Sequence, residues 1–274
     1  MARPPSGQTM GDWSRRRRSK ALTREISPRF TDALANYYGT GPTDISASKK
    51  AHREYVAALE KHGLEVRVLP SLSEYPDSCF VEDAAIVVNG ALVMCNLGHP
   101  SRRGEADSIR NALNGALEII HMPEGAHLDG GDVLFYDDQY LIGRSTRSND
   151  AGVEFLQMII DERGFSSTVI DVPSTTLHLS TICSSPAPNV LVTAEGFLTP
   201  EQLKPVGGDV IWVPKEESYG ANTIGFEGDK VLVSSDYPAT AAALVEHGFS
   251  LTEVDMEHIR AADGSLTCLR LFYA

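Results

Sequence analysis

Cys268 stands in the stretch Asp263-Gly264-Ser265-Leu266-Thr267-Cys268-Leu269-Arg270-Leu271, whose alternating apolar residues read as a strand. A lone thiol in such a run is ordinarily packing, because free cysteine behaves as a small hydrophobe. Three upstream stretches change that reading: Phe80-Val81-Glu82-Asp83, Leu128-Asp129-Gly130-Gly131-Asp132 and Leu177-His178-Leu179-Ser180. Each begins or interrupts a strand-like run, and each offers a carboxylate or an imidazole. A thiol nucleophile, a His to move protons and carboxylates to hold positive charge would together attack a cationic, electrophilic carbon.

These residues are far apart in sequence, so the fold must bring them together. Asp44 is the N-cap expected for a helix whose Ala47, Ala51, Tyr55, Ala58 and Leu59 share one face and which Gly63 ends. A strand over 66–69 and a hairpin over 80–94 follow, the hairpin turning at Asn89-Gly90. The same order recurs in a helix over 103–117, a strand at 119–120 and a hairpin over 128–142. It recurs again in a helix over 149–163, a strand over 168–172 and a hairpin over 177–192. A fourth unit has a short helix after Thr199-Pro200, a strand over 210–213 and a hairpin over 222–233. The fifth has a helix over 239–246 and strands over 251–254 and 265–271, and it lacks a third strand.

Repeats of this length mark propellers or solenoids. A strand at 20–23 would complete the fifth unit and close a ring, which removes open sheet ends. Residues 20–274 therefore read as one α/β domain, a five-bladed α/β propeller, and residues 1–19 as a disordered basic tail. Asp83, Asp129, His178 and Cys268 occupy the first hairpin strand of units one, two, three and five, so a ring would gather them at its axis.

Composition narrows the partners. The net charge of -13 disfavours nucleic acid and anionic membranes and favours the approach of cations. No apolar run reaches the roughly 18 residues of a membrane-spanning helix, and no apolar leader is visible. The 4 cysteines, at 79, 95, 183 and 268, show no C-x-x-C pairing, which points to a reducing, cytoplasmic setting. Arg15 to Arg18 run against the acidic balance and read most simply as part of a solvated tail. Gly130-Gly131 has no helix after it, as a phosphate-binding loop would, and reads as a bulge or a close backbone approach.

Taken in order, the four stretches resemble the dimethylarginine dimethylaminohydrolase family of the guanidine-modifying pentein superfamily. The resemblance implies the same five-bladed α/β propeller from about Lys20 onward, and hydrolysis of methylated arginine to citrulline and an alkylamine. It implies Cys268 as nucleophile, His178 as general acid and base, and Asp129 as the carboxylate that orients the His and holds substrate. Glu82 and Asp83 resemble the pair near the guanidinium, and Asp77 a contact to the substrate amine. Arg102 and Arg147 resemble clamps on the substrate carboxylate, Leu34 a lid residue, and Asp263 a neighbour of the nucleophile.

Related deiminases and amidinotransferases carry an acid two positions after the His, where this chain has Ser180. The shorter residue would leave room for N-methyl groups that cannot donate hydrogen bonds. No metal or organic cofactor is implied, although Cys268 and His178 could capture an inhibitory Zn²⁺. The expected partner is a small cationic guanidine, with no nucleic acid and no membrane, and the chain acting as a monomer or homodimer. Deimination of arginine or hydrolysis of another small guanidine, and a non-catalytic binding role on the same fold, are the competing readings.

Overall fold

A computed structural model describes residues 13–16 and 18–274. Strands β1 (Lys20–Arg24) and β2 (Glu65–Leu69) run parallel, joined by the crossover helix α1 (Ile45–Lys61). β3 (Ala85–Val88) and β4 (Ala91–Met94) form a hairpin, and α2 (Ala106–Leu113) leads to β5 (Glu118–His121), parallel to β4. The pattern repeats in β6 (Val133–Tyr136), β7 (Gln139–Arg144), α3 (Asp150–Glu162) and β8 (Ser166–Asp171). After a short helix, α4 (Leu179–Ile182), come β9 (Cys183–Ala187), β10 (Val190–Ala194), α5 (Pro200–Leu203) and β11 (Asp209–Val213). The next sheet contains β12 (Ile224–Gly225), β13 (Lys230–Ser234) and β14 (Ser250–Val254), with α6 (Pro238–Glu246) as its crossover. Finally α7 (Glu257–Arg260) precedes β15 (Leu271–Tyr273), which pairs antiparallel with β1.

The result is five three-stranded sheets, the last ordered β15-β1-β2. The strand at Lys20–Arg24 closes the ring as expected and becomes the central strand of that sheet. The sheets are one step out of phase with the repeat read from sequence. Each hairpin pairs with the strand of the following unit, because the helix carries the chain back over its own sheet. The central strand β4 is apolar along its length, and β10 apart from Thr193, because both faces of a central strand are covered. Five clusters of buried apolar side chains fill the spaces between blades and helices.

Local chemistry sets the crossovers. Asp44 accepts the Ala47 N–H at 2.9 Å to start α1, and Asn149 accepts the Gly152 N–H at 2.9 Å to start α3. Tyr55 and Leu59 of α1 are fully buried, each contributing about 1.5–3 kcal/mol of apolar transfer. The second helix is shorter than its periodicity predicts: it ends at Leu113, before Asn114 and a Gly115 with φ of 89°.

The stretches carrying the chemistry are not strands. Each sheet is entered through a helical turn: Val81–Ala84, Gly130–Asp132, α4, Lys215–Ala221 and Thr267–Leu269. Cys268 therefore lies on a 3-10 turn, and β15 begins only at Leu271. Three or four alternating residues are too few for sequence to separate a strand from a single turn.

The tail expected to be disordered is folded where it is described. Trp13–Arg16 form a 3-10 turn, and the buried Arg16 donates to Ser185 O and Oγ at 2.8 and 2.6 Å. Residues 1–12 and 17 of that segment lie outside the described residues. No helix among the described residues is long and apolar enough to cross a membrane.

Candidate active site

The helical turns meet around the ring axis, and one small cavity opens there. Cys268, His178, Asp83, Asp77, Arg102, Arg147, Leu34 and Asp263 all line it. Its volume is about 20 Å³, room for roughly one water. A guanidine the size of arginine must therefore displace something to enter.

His178 caps the N-terminus of α4, and its backbone N–H donates to Thr181 Oγ1 at 3.1 Å. Its Nε2–H donates to Asp129 Oδ2 at 3.2 Å, and its Nδ1 lies 3.8 Å from Asp83 Oδ1. Burial by itself would lower the imidazole pKa. Asp83, the Asp129 hydrogen bond and the Asp132 charge outweigh it and raise the pKa to about 9. His178 is consequently a cation at neutral pH. The Cys268 thiol is shifted the opposite way to its use as a nucleophile. Burial, then the charges of Asp83 and Glu82, push its pKa up to about 12, against the opposing effect of a hydrogen bond between the sulfur and Ser265 Oγ at 3.2 Å.

Of the neighbouring pair Glu82 and Asp83, it is Asp83 that faces this cavity. Its Oδ2 accepts from Arg102 Nη1 at 2.5 Å and its Oδ1 from the Gly131 N–H at 3.2 Å. Glu82 does not face it. Its carboxylate accepts from Thr267 Oγ1 at 2.8 Å and Arg270 Nη1 at 2.7 Å, and it lines a separate cavity on the far side of the turns. At three residues per turn, successive side chains of a 3-10 helix point about 120° apart, so the two acids face different cavities. The Glu82–Asp83 pair expected at the guanidinium is divided between two cavities, with Asp83 on the Cys268 side.

Asp129 is fully buried behind His178 and does not line the cavity. It accepts from Gly98 N–H at 2.8 Å, from His178, and from Arg147 Nη1 at 3.4 Å. From there it can orient the imidazole, and it lies behind His178 instead of on the cavity wall. Arg102, expected as a clamp on the substrate carboxylate, is instead committed to the protein. It bonds Glu105 from Nε and Nη2, Asp83 from Nη1 and the Phe80 carbonyl from Nη2. Arg147 alone of the two sits at the rim with part of its guanidinium exposed.

Leu34 belongs to a covering loop that two acids hold down. Asp77 Oδ1 accepts the Leu34 N–H at 3.0 Å, so Asp77 faces the loop as well as the cavity. Asp263, with φ of 59°, accepts backbone N–H groups from Asn36, from Tyr37 at 3.0 Å, from Tyr38 at 2.7 Å and from Gly39 at 3.1 Å. Asp263 is thus an anchor for the loop in addition to a neighbour of the nucleophile. Ser180, read as leaving room for N-methyl groups, lines the far cavity and not this one. Among the described residues no cluster of three or more His, Cys, Asp or Glu could hold a metal ion, so Cys268 and His178 are not part of a wider zinc-ligand set.

Several positioning residues had no clear sequence signal. A Cβ at Gly131 would lie 2.7 Å from His178 Nδ1 and 2.8 Å from Asp83 Oδ1, so the glycine lets both groups approach. Asp132, which alone reads as a turn former, accepts from Leu179 N–H at 3.1 Å and Ser145 Oγ at 2.5 Å, holding the turn that carries His178. Buried Asn222, from the fourth unit, donates to Ser180 O at 2.6 Å and Thr267 Oγ1 at 2.9 Å. It sits at the repeat position matching the other axial residues, which is the signal that could have found it.

With this geometry established, the chain was compared with known proteins. A family model described as "N,N dimethylarginine dimethylhydrolase, eukaryotic" matches residues 43–270. An N(G),N(G)-dimethylarginine dimethylaminohydrolase of Streptomyces coelicolor is 30% identical over 252 residues, covering 91% of this chain and 95% of its own. A solved structure of the Pseudomonas aeruginosa enzyme, a Cys-to-Ser mutant complexed with citrulline, superposes with a TM-score of 0.87 at 26% identity, covering 94% of this chain and 100% of its own. A second, a His-to-Gly dimethylarginine dimethylaminohydrolase adduct with S-methyl-L-thiocitrulline, gives 0.86 at 27% identity, covering 93% and 100%.

Proposed function

The chain belongs to the dimethylarginine dimethylaminohydrolase family, and on that footing we propose that it hydrolyses Nω-methylated arginine to citrulline and an alkylamine through a covalent bond to Cys268. The observation that carries the residue roles is the shared cavity: thiol, imidazole and Asp83 carboxylate face one small, acid-rich space at the ring axis. A guanidinium suits that space. Its planar cation pairs with Asp83 and offsets the excess negative charge around the sulfur.

The same cation resolves the thiol's high pKa. In the empty cavity the acids oppose a thiolate. When the guanidinium binds, its positive charge lies against the sulfur and favours the proton's departure. The thiolate attacks the guanidinium carbon, and binding converts a bimolecular encounter into a near-attack geometry. His178, protonated at neutral pH, gives its proton to the departing alkylamine as the C–N bond breaks. An S-alkylthiouronium remains on Cys268. The now neutral His178 takes one proton from water, the hydroxide adds to the same carbon, and the C–S bond breaks to return the thiolate as the new oxygen gives up its remaining proton, which the departed amine takes up. One water is consumed, and the positive charge leaves on the alkylammonium.

Asp129 and Asp132 hold the imidazole and its turn, Arg102 holds Asp83, and Arg147 is the residual clamp for the substrate carboxylate. The loop around Leu34, released from Asp77 and Asp263, is the part that opens for entry. The test is a panel of arginine, monomethylarginine and dimethylarginine, scored for citrulline and for the amine released. Alkylamine release that is lost in Cys268→Ser is the expected result. Ammonia from arginine as the main product would favour deimination, and substantial turnover by Cys268→Ser would overturn the covalent route.

A further inference from the structure

Behind the catalytic turns, on the other side of Glu82, lies a second cavity of about 200 Å³, ten times the volume of about 20 Å³ that holds Cys268. Its inner wall is made of residues one or two positions from the catalytic ones: Glu82, Ser180 and Thr267. Three cations, Arg16, Arg18 and Arg270, line it, together with Glu82 and the last residue, Ala274. Its lining also includes the apolar Ile86, Leu134, Phe135 and Phe165.

The charges of this cavity are unbalanced. Arg270 is paired with Glu82 at 2.7 Å, and Arg16 is 4.0 Å from Asp137. Arg18 is held between the rings of Trp13 and Phe272, at 5.4 and 5.3 Å, and its Nη2 is buried with no hydrogen-bond partner among the described residues. The Nε of Arg16, whose side chain is 3% exposed, and the Oγ of Ser180, 3% exposed, are likewise buried and unpartnered. Buried donors without acceptors cost free energy, and an anion would supply the acceptors. In a chain of net charge -13, a cluster of three arginines about one cavity is a local reversal of sign. Aromatic and aliphatic side chains in the lining suit the carbon body of such an anion.

We propose that this cavity is a second, non-catalytic site for a small organic anion: a carboxylate seated on Arg18 and Arg16, with an apolar body against Phe135 and Phe165. It lies outside the pocket for the cationic substrate and takes a ligand of opposite charge. The test uses 4-phenylbutyrate as probe in titration calorimetry on the full chain, with 4-phenylbutanol as its uncharged counterpart. One probe should bind per chain, at least ten-fold more tightly than the alcohol, the scale of one charge-assisted hydrogen bond. Arg18→Gln should weaken binding at least ten-fold, and Arg18→Lys should restore most of it. Alkylation of Cys268 by a cationic reagent should leave it unchanged. Citrulline release by Arg18→Gln should match wild type, which shows that the variant folds. Equal affinity for acid and alcohol, binding insensitive to Arg18→Gln, no binding, or loss of binding on Cys268 alkylation would each overturn the site.

Discussion

The reactivity of Cys268 should depend on the charge of what approaches it. With a pKa of about 12 the empty cavity holds about one thiolate in 10⁵ at pH 7. A cation placed about 4 Å from the sulfur is worth about 4 kcal/mol at an effective dielectric of about 20. At 1.36 kcal/mol for each pH unit, that lowers the pKa by about three, and the thiolate population rises by about 10³. The assay compares inactivation by chloroacetamidine, a cation, with inactivation by chloroacetamide, its neutral relative, at pH 7. Each rate is divided by the reagent's rate with free cysteine. The cationic reagent should be favoured by about 10³, and Asp83→Asn should shrink the ratio by removing the charge that receives the cation. Equal normalised rates, or a thiol that titrates near neutrality with the neutral reagent, would refute the electrostatic reasoning.

Three further outcomes are expected. His178 holds its proton more tightly folded, at about 9, than the ordinary 6.5, so its stabilisation of about 3 kcal/mol is complete below about pH 6.5 and lost as pH rises through about 9. The urea-unfolding difference between wild type and His178→Gln should therefore fall by about that amount from pH 6 to pH 10, and a constant difference would contradict it. Gly131→Ala places a methyl 2.7 Å from His178 Nδ1 and should cost about 10²-fold in kcat, the scale of a 1 Å displacement, while circular dichroism stays native. Asp263→Ala removes the acceptor for the loop's N–H groups, so KM should rise about ten-fold or more and proteolysis within residues 33–42 should speed up. Unchanged KM and protease resistance would show that the loop is held by other contacts.

Most of the ring was legible because its signals are local. Asp44 and Asn149 cap helices by chemistry written within three residues of them, and Asn89-Gly90 adopts the positive φ values, 41° and 85°, that its hairpin needs. Closure by Lys20–Arg24 followed from counting strands, since a ring with one strand missing must borrow it. The identities of Cys268, His178 and Asp83 were readable from four short stretches in order. Their directions were not. Whether Glu82 or Asp83 faces the substrate depends on a turn of one residue's phase, and Ser180 lies on the other side of the ring axis from the role expected for it. The hold of Asp263 on residues 36–39 spans more than 220 positions, with an |i−j| of 227 at Asn36, and no local pattern records it. Arg16 and Arg18 looked like tail because the run of arginines masks two that pack against Ser185, Trp13 and Phe272.

The most direct test of the catalytic scheme is the intact mass of His178→Gln quenched during reaction with dimethylarginine. The leaving amine can still depart slowly, but no base remains to activate water, so the thiouronium should accumulate. One adduct per chain, equal to the substrate less its dimethylamine and mapped by peptide sequencing to Cys268, is the expected result. Citrulline formed with no adduct at any time, or an adduct mapped to Cys79, Cys95 or Cys183, would contradict the assignment of Cys268 as nucleophile.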